Sequence, residues 1–180
     1  MQQYQDKSWR ERMRIRVDFN NMMQSHVGQY GLTEADIRAY DARFARAAEN
    51  METKRGDMKW RELPYNQEEI VEDILEAARY VRDRFDYFVV LGIGGSALGP
   101  TAVQQALSHL RYNDLPKEKR SGPKLYVEDN VDPERMASLF EVIDISRTCF
   151  NVVTKSGSTS ETMSQLLLVT SALRETCGES

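Results

Sequence analysis

Two short stretches of this chain carry residue types suited to one kind of chemistry, the holding of a phosphate group. The first, Leu91-Gly92-Ile93-Gly94-Gly95-Ser96-Ala97-Leu98-Gly99, sets four glycines and a serine directly after an apolar run. Glycine permits positive φ and lets backbone N–H groups approach an anion with no Cβ in the way. A helix opening just afterwards adds unpaired N–H donors and a partial positive charge. Ser96 adds a hydroxyl. The second, Thr154-Lys155-Ser156-Gly157-Ser158-Thr159-Ser160-Glu161-Thr162, carries six hydroxyls in nine residues and one lysine. Hydroxyls and helix N–H groups suit the acceptor oxygens of a phosphate, and a nearby cation offsets its charge.

Each stretch also has a plainer reading. The glycines could serve only a tight strand-to-helix turn, although one would be enough for that. Gly92, Gly94 and Ala97 also fit G-x-G-x-x-A, and Glu128 falls near the end of the next strand, where a ribose-binding carboxylate belongs. A dinucleotide therefore remains open as a ligand for the first loop. In the second stretch, Ser158 with Glu161 three residues on has the spacing of a capping box. That leaves Thr154, Ser156, Thr159 and Thr162 without a structural task. A dinucleotide domain has no particular need of this loop, which favours phosphate on a small molecule.

The elements that must position these loops follow from the pattern of apolar residues. Tyr87-Phe88-Val89-Val90-Leu91 is short, apolar and unalternating, as a parallel strand covered on both faces reads. A helix through Ala102, Val103, Ala106, Leu107 and Leu110 follows it, and Lys124-Leu125-Tyr126-Val127 gives a second strand. Asp132-Pro133 opens a further helix holding Met136, Leu139 and Phe140. The third strand is Cys149-Phe150-Asn151-Val152-Val153-Thr154, and a last helix runs from Glu161 to about Glu175. Strands alternate with crossover-length connections, which predicts α/β architecture with a parallel sheet. With the first strand central, the chain order reverses between strands one and three. Both loops then open at the carboxyl ends of the strands, where such sheets bind ligands.

The first half reads as helices. Trp9, Met13 and Val17 recur four apart. Thr33 with Asp36 marks a helix start, followed by an apolar stripe of Ile37, Tyr40, Phe44, Ala48 and Met51. Asn66 with Glu69 opens another helix, with Ile70, Ile74, Ala77 or Ala78, and Val81 on its inner face. The predicted division is a helical segment at 1–84, packing on the α/β part, and an α/β part at 85–180 that is incomplete as a sheet domain.

Bulk composition narrows the function classes. The 180 residues include 24 Lys and Arg against 28 Asp and Glu, a formal net charge of -4, which argues against nucleic-acid binding. Arg10, Arg12, Arg14 and Arg16 do not form one helical stripe and read as solvated surface. No run reaches the length of a membrane span, and the polar N-terminus lacks a secretory apolar stretch. Two cysteines, Cys149 and Cys177, are expected as free thiols in a reducing cytoplasm. His26 and His109 are the only histidines; both are expected on helices away from the loops, and no metal site is expected.

Val89 to Gly99, together with Asn151 to Thr162, closely resembles the glucose-6-phosphate isomerase (phosphoglucose isomerase) family. Asp129-Asn130-Val131-Asp132-Pro133 and Trp60-Arg61-Glu62-Leu63-Pro64 resemble that family too, in the manner of its bacterial members. The resemblance implies an N-terminal portion comprising a helical lead-in and the first part of a sugar-isomerase (SIS) phosphosugar-binding domain. That domain is a three-layer parallel sheet of flavodoxin-like strand order, incomplete here. It implies that Gly95 and Ser96 touch the sugar, and that Thr154, Ser156, Thr159 and Thr162 hold the phosphate with the backbone N–H of Lys155. Thr154 stands where serine is more usual. The family opens the sugar ring and moves a proton between C2 and C1 through an enediol, converting glucose 6-phosphate to fructose 6-phosphate with no cofactor. A glutamate acts as base, and histidine and lysine assist ring opening. No segment matching those catalytic motifs occurs in this chain, so no catalytic residue is expected in it. The resemblance further implies a cytoplasmic homodimer as the whole enzyme. A non-catalytic phosphosugar-binding SIS module is the first alternative, and a dinucleotide-dependent oxidoreductase the second.

Overall fold

A computed structural model describes residues 6–65 and 67–178. The chain divides into two compact units, Met1–Asn66 and Gln67–Ser180. The division thus falls ahead of the helix Glu68–Arg84, where the sequence placed it at 84.

Among its described residues the first unit holds four α-helices, α1 (Lys7–Arg12), α2 (Gln24–Val27), α3 (Glu34–Ala39) and α4 (Asp41–Thr53). Thr33 and Asp36 form the expected capping box at the start of α3. The stripe from Ile37 to Met51 is interrupted at Tyr40, where one helix ends and the next begins. Val17 lies outside any helix, so the Trp9-Met13-Val17 spacing does not describe a face. Within this unit no described residue is buried. Its apolar side chains, Phe44 among them at 61% exposure, build no core of their own.

The second unit begins with α5 (Glu68–Arg84), whose expected cap Asn66 lies outside the described residues. Then follow β1 (Tyr87–Leu91), α6 (Gly95–Leu107), β2 (Lys124–Glu128), α7 (Pro133–Val142), β3 (Thr148–Val152) and α8 (Ser160–Cys177). The sheet order is β2-β1-β3 with both pairings parallel, so the first strand is central. The alternation of strand and helix therefore produces the doubly wound α/β sheet expected of it. Leu91 stands opposite Glu128 on one side and Val152 on the other, which brings all three strand exits level.

One face of the sheet is well packed. Val89 and Leu91 of β1 meet Met136, Leu139 and Ile143 from α7 and its exit, and Val169 of α8. Burying each such side chain contributes about 1.5–3 kcal/mol. Asp132 caps α7 by accepting from the Glu134 and Arg135 N–H groups. On the opposite face α5 is only partly covered. Ala78 and Val81 are half-buried but Ile70 and Ile74 are exposed, and Ile74, Ala78 and Val81 border a cavity of about 660 Å³ together with Phe88 and Leu125.

Side chains secure the sheet's margins. Asn113 donates to the Leu125 carbonyl at 2.7 Å and accepts from the Leu125 N–H at 2.9 Å, satisfying the outer edge of β2. Asp86, just ahead of β1, pairs with Arg147 and, at 2.8 Å, with Lys117. Those two cations hold its carboxyl down to about 2. Among the described residues no helix is long and apolar enough to cross a membrane.

Candidate functional site

The first loop leaves β1 at Gly92. A Cβ there would stand 2.8 Å from Ser96 Cβ and 3.2 Å from the Val153 carbonyl oxygen, so only glycine fits this close approach. Gly94 turns the chain with φ +57 and becomes the N-cap of α6. Positive φ at that point favours glycine over any residue with a Cβ. The Ser96 N–H donates to the Ile93 carbonyl and the Ala97 N–H to the Gly94 carbonyl. Helix α6 therefore offers fewer unpaired donors than its sequence suggested, and among the described residues the Gly95 N–H is left without an acceptor. Gly95 has open space on its Cβ side.

The second loop is organised by its own hydroxyls. Thr154 Oγ1 accepts from the Gly157 N–H at 3.1 Å, and Gly157 takes φ +71. Ser156 Oγ accepts from the Ser158 N–H and from the Ser158 hydroxyl, both at 3.2 Å. Ser156 Oγ and Thr159 Oγ1 lie 3.5 Å apart. A hydroxyl that accepts from its own loop keeps its proton to donate elsewhere, so Thr154 and Ser156 are set up as donors. The capping box expected of Ser158 and Glu161 does not form. Helix α8 starts at Ser160, with Thr159 rather than Ser158 as N-cap and no side-chain bond closing its first turn. The N–H groups of Ser160, Glu161 and Thr162 thus have no intrahelical acceptor.

The two loops meet. The Val153 N–H donates to the Leu91 carbonyl at 2.9 Å, and the Gly92 N–H to the Glu128 carbonyl at 3.2 Å. Between them lies a cavity of about 520 Å³, lined by Ile93, Gly95 and Ser96 from one side and by Val153, Thr154, Lys155, Ser156, Thr159 and Thr162 from the other. All seven residues singled out in the sequence therefore face one space. Thr162 is 1% exposed and anchors the cavity floor in the packed side of α8. The volume is in the range of small-molecule sites. Hydroxyls, an open helix N-terminus and Lys155 together favour a phosphate-sized anion. No carboxylate or histidine is among the lining residues.

Glu128 is not placed for a ribose. It is 6% exposed, and its carboxylate lies 3.1 Å from the Arg135 guanidinium. Burial pushes the Glu128 carboxyl above the usual range; Arg135 opposes the rise, and Asp129 and Asp132 add to it. The dinucleotide reading loses the carboxylate it relied on. His26 is in α2, whereas His109 lies beyond the end of α6, where its Nδ1 accepts from the Arg111 N–H. Neither lines the cavity. Among the described residues no cluster of three or more His, Cys, Asp or Glu is placed to hold a metal ion.

Sequence reasoning missed Gln165, which is 2% exposed, stands three residues after Thr162 in α8 and donates to two backbone carbonyls. Its signal was available: Thr162, Gln165 and Val169 recur at helical spacing, and a polar residue inside a buried stripe needs partners.

Comparison with known proteins gives a consistent picture. A family model described as phosphoglucose isomerase matches residues 76–179. A glucose-6-phosphate isomerase of Carboxydothermus hydrogenoformans is 52% identical over 169 residues, covering 93% of this chain and 36% of that protein. One from Rubrobacter xylanophilus is 40% identical, covering 92% and 37%. The crystal structure of a hypothetical protein from Thermus thermophilus superimposes with a TM-score of 0.58 at 31% identity, over 78% of this chain and 32% of that one. The chain thus spans about a third of the length of the curated relatives it matches.

Proposed function

We propose that this chain, which belongs to the phosphoglucose isomerase family, supplies the phosphate-gripping part of a glucose-6-phosphate isomerase. The observation that carries the reading is the single cavity shared by the glycine loop and the hydroxyl loop. Thr154, Ser156 and Thr159 donate hydroxyl protons to the phosphate, with Thr162 and the Lys155 N–H completing the cradle. The open first turn of α8 directs further N–H groups at the same anion. Gly95 and Ser96 then meet the sugar. The α/β unit that begins at Gln67 is the first part of an SIS domain, and the helical residues ahead of it are its lead-in. The family reading carries with it a cytoplasmic, homodimeric whole enzyme.

Interconversion of glucose 6-phosphate and fructose 6-phosphate requires a base to carry a proton between C2 and C1. The cavity lining offers no carboxylate and no imidazole for that task. In this reading the chain holds the phosphate of the substrate, and this cavity supplies no group to carry the proton. The purified chain is accordingly expected to show no turnover of glucose 6-phosphate.

Calorimetric titration with fructose 6-phosphate and, separately, with NADH tests the reading. Ser156→Ala or Thr159→Ala should each weaken phosphosugar binding by about 1–3 kcal/mol if the hydroxyl donates to a charged phosphate. Tight NADH binding with no response to the sugar phosphate would overturn it.

A further inference from the structure

We propose that Gln165 is a positioning residue, holding the first turns of α8 against the exit of β2 so that both loops grip one phosphate. Gln165 Nε2 donates to the Glu128 carbonyl at 3.3 Å and to the Asn130 carbonyl at 3.1 Å. The Glu128 carbonyl also accepts from the Gly92 N–H, at the start of the first loop. One side chain therefore links the helix that begins in the second loop to the residue that opens the first.

Helical geometry makes this link matter at the site. Thr162 precedes Gln165 by three residues, so both lie on one face of α8. Thr162 lines the cavity. A shift of this face relative to β2 would move Thr162 and the unpaired N–H groups of the first turn together. Hydrogen bonds to a bound anion tolerate only a few tenths of an ångström of displacement.

The amide's other end sharpens the case. Gln165 Oε1 is buried and has no hydrogen-bond partner. An orphaned buried acceptor is costly, and an apolar side chain of similar length would fill the space without one. What the amide contributes here is its pair of donated bonds, and those run to the strand exit that fixes the first loop.

The inference rests on the phosphosugar reading above, and its test separates the two. Fructose 6-phosphate is titrated by calorimetry into the wild-type chain, Gln165→Met and Gln165→Glu between pH 5 and 8, with circular dichroism checking that each is folded. Gln165→Met keeps the volume and loses the donor, and should bind about tenfold more weakly at every pH, the scale of lost hydrogen bonding. Gln165→Glu faces two carbonyl oxygens with an anionic acceptor at high pH and regains an O–H donor when protonated. Burial raises the pKa of such a carboxyl, so its deficit relative to wild type should shrink from about tenfold to about threefold or less at pH 5. Taking the ratio to wild type removes the titration of the phosphate itself, and Gln165→Met, which adds no carboxyl beside Glu128, Asp129 and Asp132, supplies the reference free of coupled titration. Both variants binding within about twofold of wild type at all pH values, with only a lowered melting temperature, would overturn the positioning role. Failure of the wild-type chain to bind the sugar phosphate would instead overturn the functional reading, and the inference with it.

Discussion

Replacing Gly92 with alanine puts a methyl group where the two loops converge. The new Cβ would lie 2.8 Å from Ser96 Cβ and 3.2 Å from the Val153 carbonyl oxygen. Carbon atoms in ordinary contact sit about 3.5–4.0 Å apart, so the first of these contacts must open by nearly an ångström. Neither obstacle can rotate away, since one is anchored to the α6 backbone and the other is backbone at the end of β3. Overpacking of this kind costs about 1–3 kcal/mol. The first contact is relieved by pushing Ser96 and the start of α6 away from the end of β1, and the second by parting that strand end from Val153; either shift changes the distance between Ser96 and the hydroxyls around Thr154. Gly92→Ala should therefore lower stability by about 2 kcal/mol in urea denaturation and weaken fructose 6-phosphate binding by about tenfold or more. Unchanged stability and affinity would refute the claim that this contact sets the spacing of the loops.

Gly95→Ala provides the contrast: its Cβ meets nothing within 4 Å, so stability should stay within about 0.5 kcal/mol of wild type while sugar binding weakens, as separate denaturation and titration would show. Asp86→Asn should destabilise the chain at pH 7 by about 1 kcal/mol, less than its full shift implies because Arg147 and Lys117 are more than half exposed. The folded carboxyl titrates at about 2 against an ordinary 3.8, so its contribution is present above about pH 4 and is lost as pH falls toward 2. Urea denaturation at pH 7 and pH 2 should show wild type and Asp86→Asn differing at the first and converging at the second.

How much of this was legible in the sequence depended on whether local residues decide the outcome. Tyr87–Leu91 declared itself because a strand covered on both faces has no room for alternation, and Val89 and Leu91 are indeed the centre of the core. The strand order and the convergence of the loops followed from chain connectivity, as the pairings of Leu91 with Glu128 and Val152 show. The capping box at Ser158 misled because spacing alone cannot say which of several adjacent hydroxyl residues becomes the N-cap; Ser156 captures the Ser158 N–H first. Ile70 and Ile74 obey helical periodicity, yet periodicity cannot tell a covered face from an exposed one. Glu128 looked like a ribose ligand until the tertiary fold paired it with Arg135, seven residues along. Gln165 acts through backbone carbonyls 35 and 37 residues away, contacts that no local pattern encodes.

The central claim is that the glycine loop and the hydroxyl loop bind one phosphate together. Backbone amide resonances followed while fructose 6-phosphate is added to isotopically labelled chain test it most directly. Saturable shifts with one common dissociation constant are predicted for Gly95 and Ser96 in the first loop and for Lys155 to Thr162 in the second. Shifts confined to one loop, or centred elsewhere on the sheet, would contradict it.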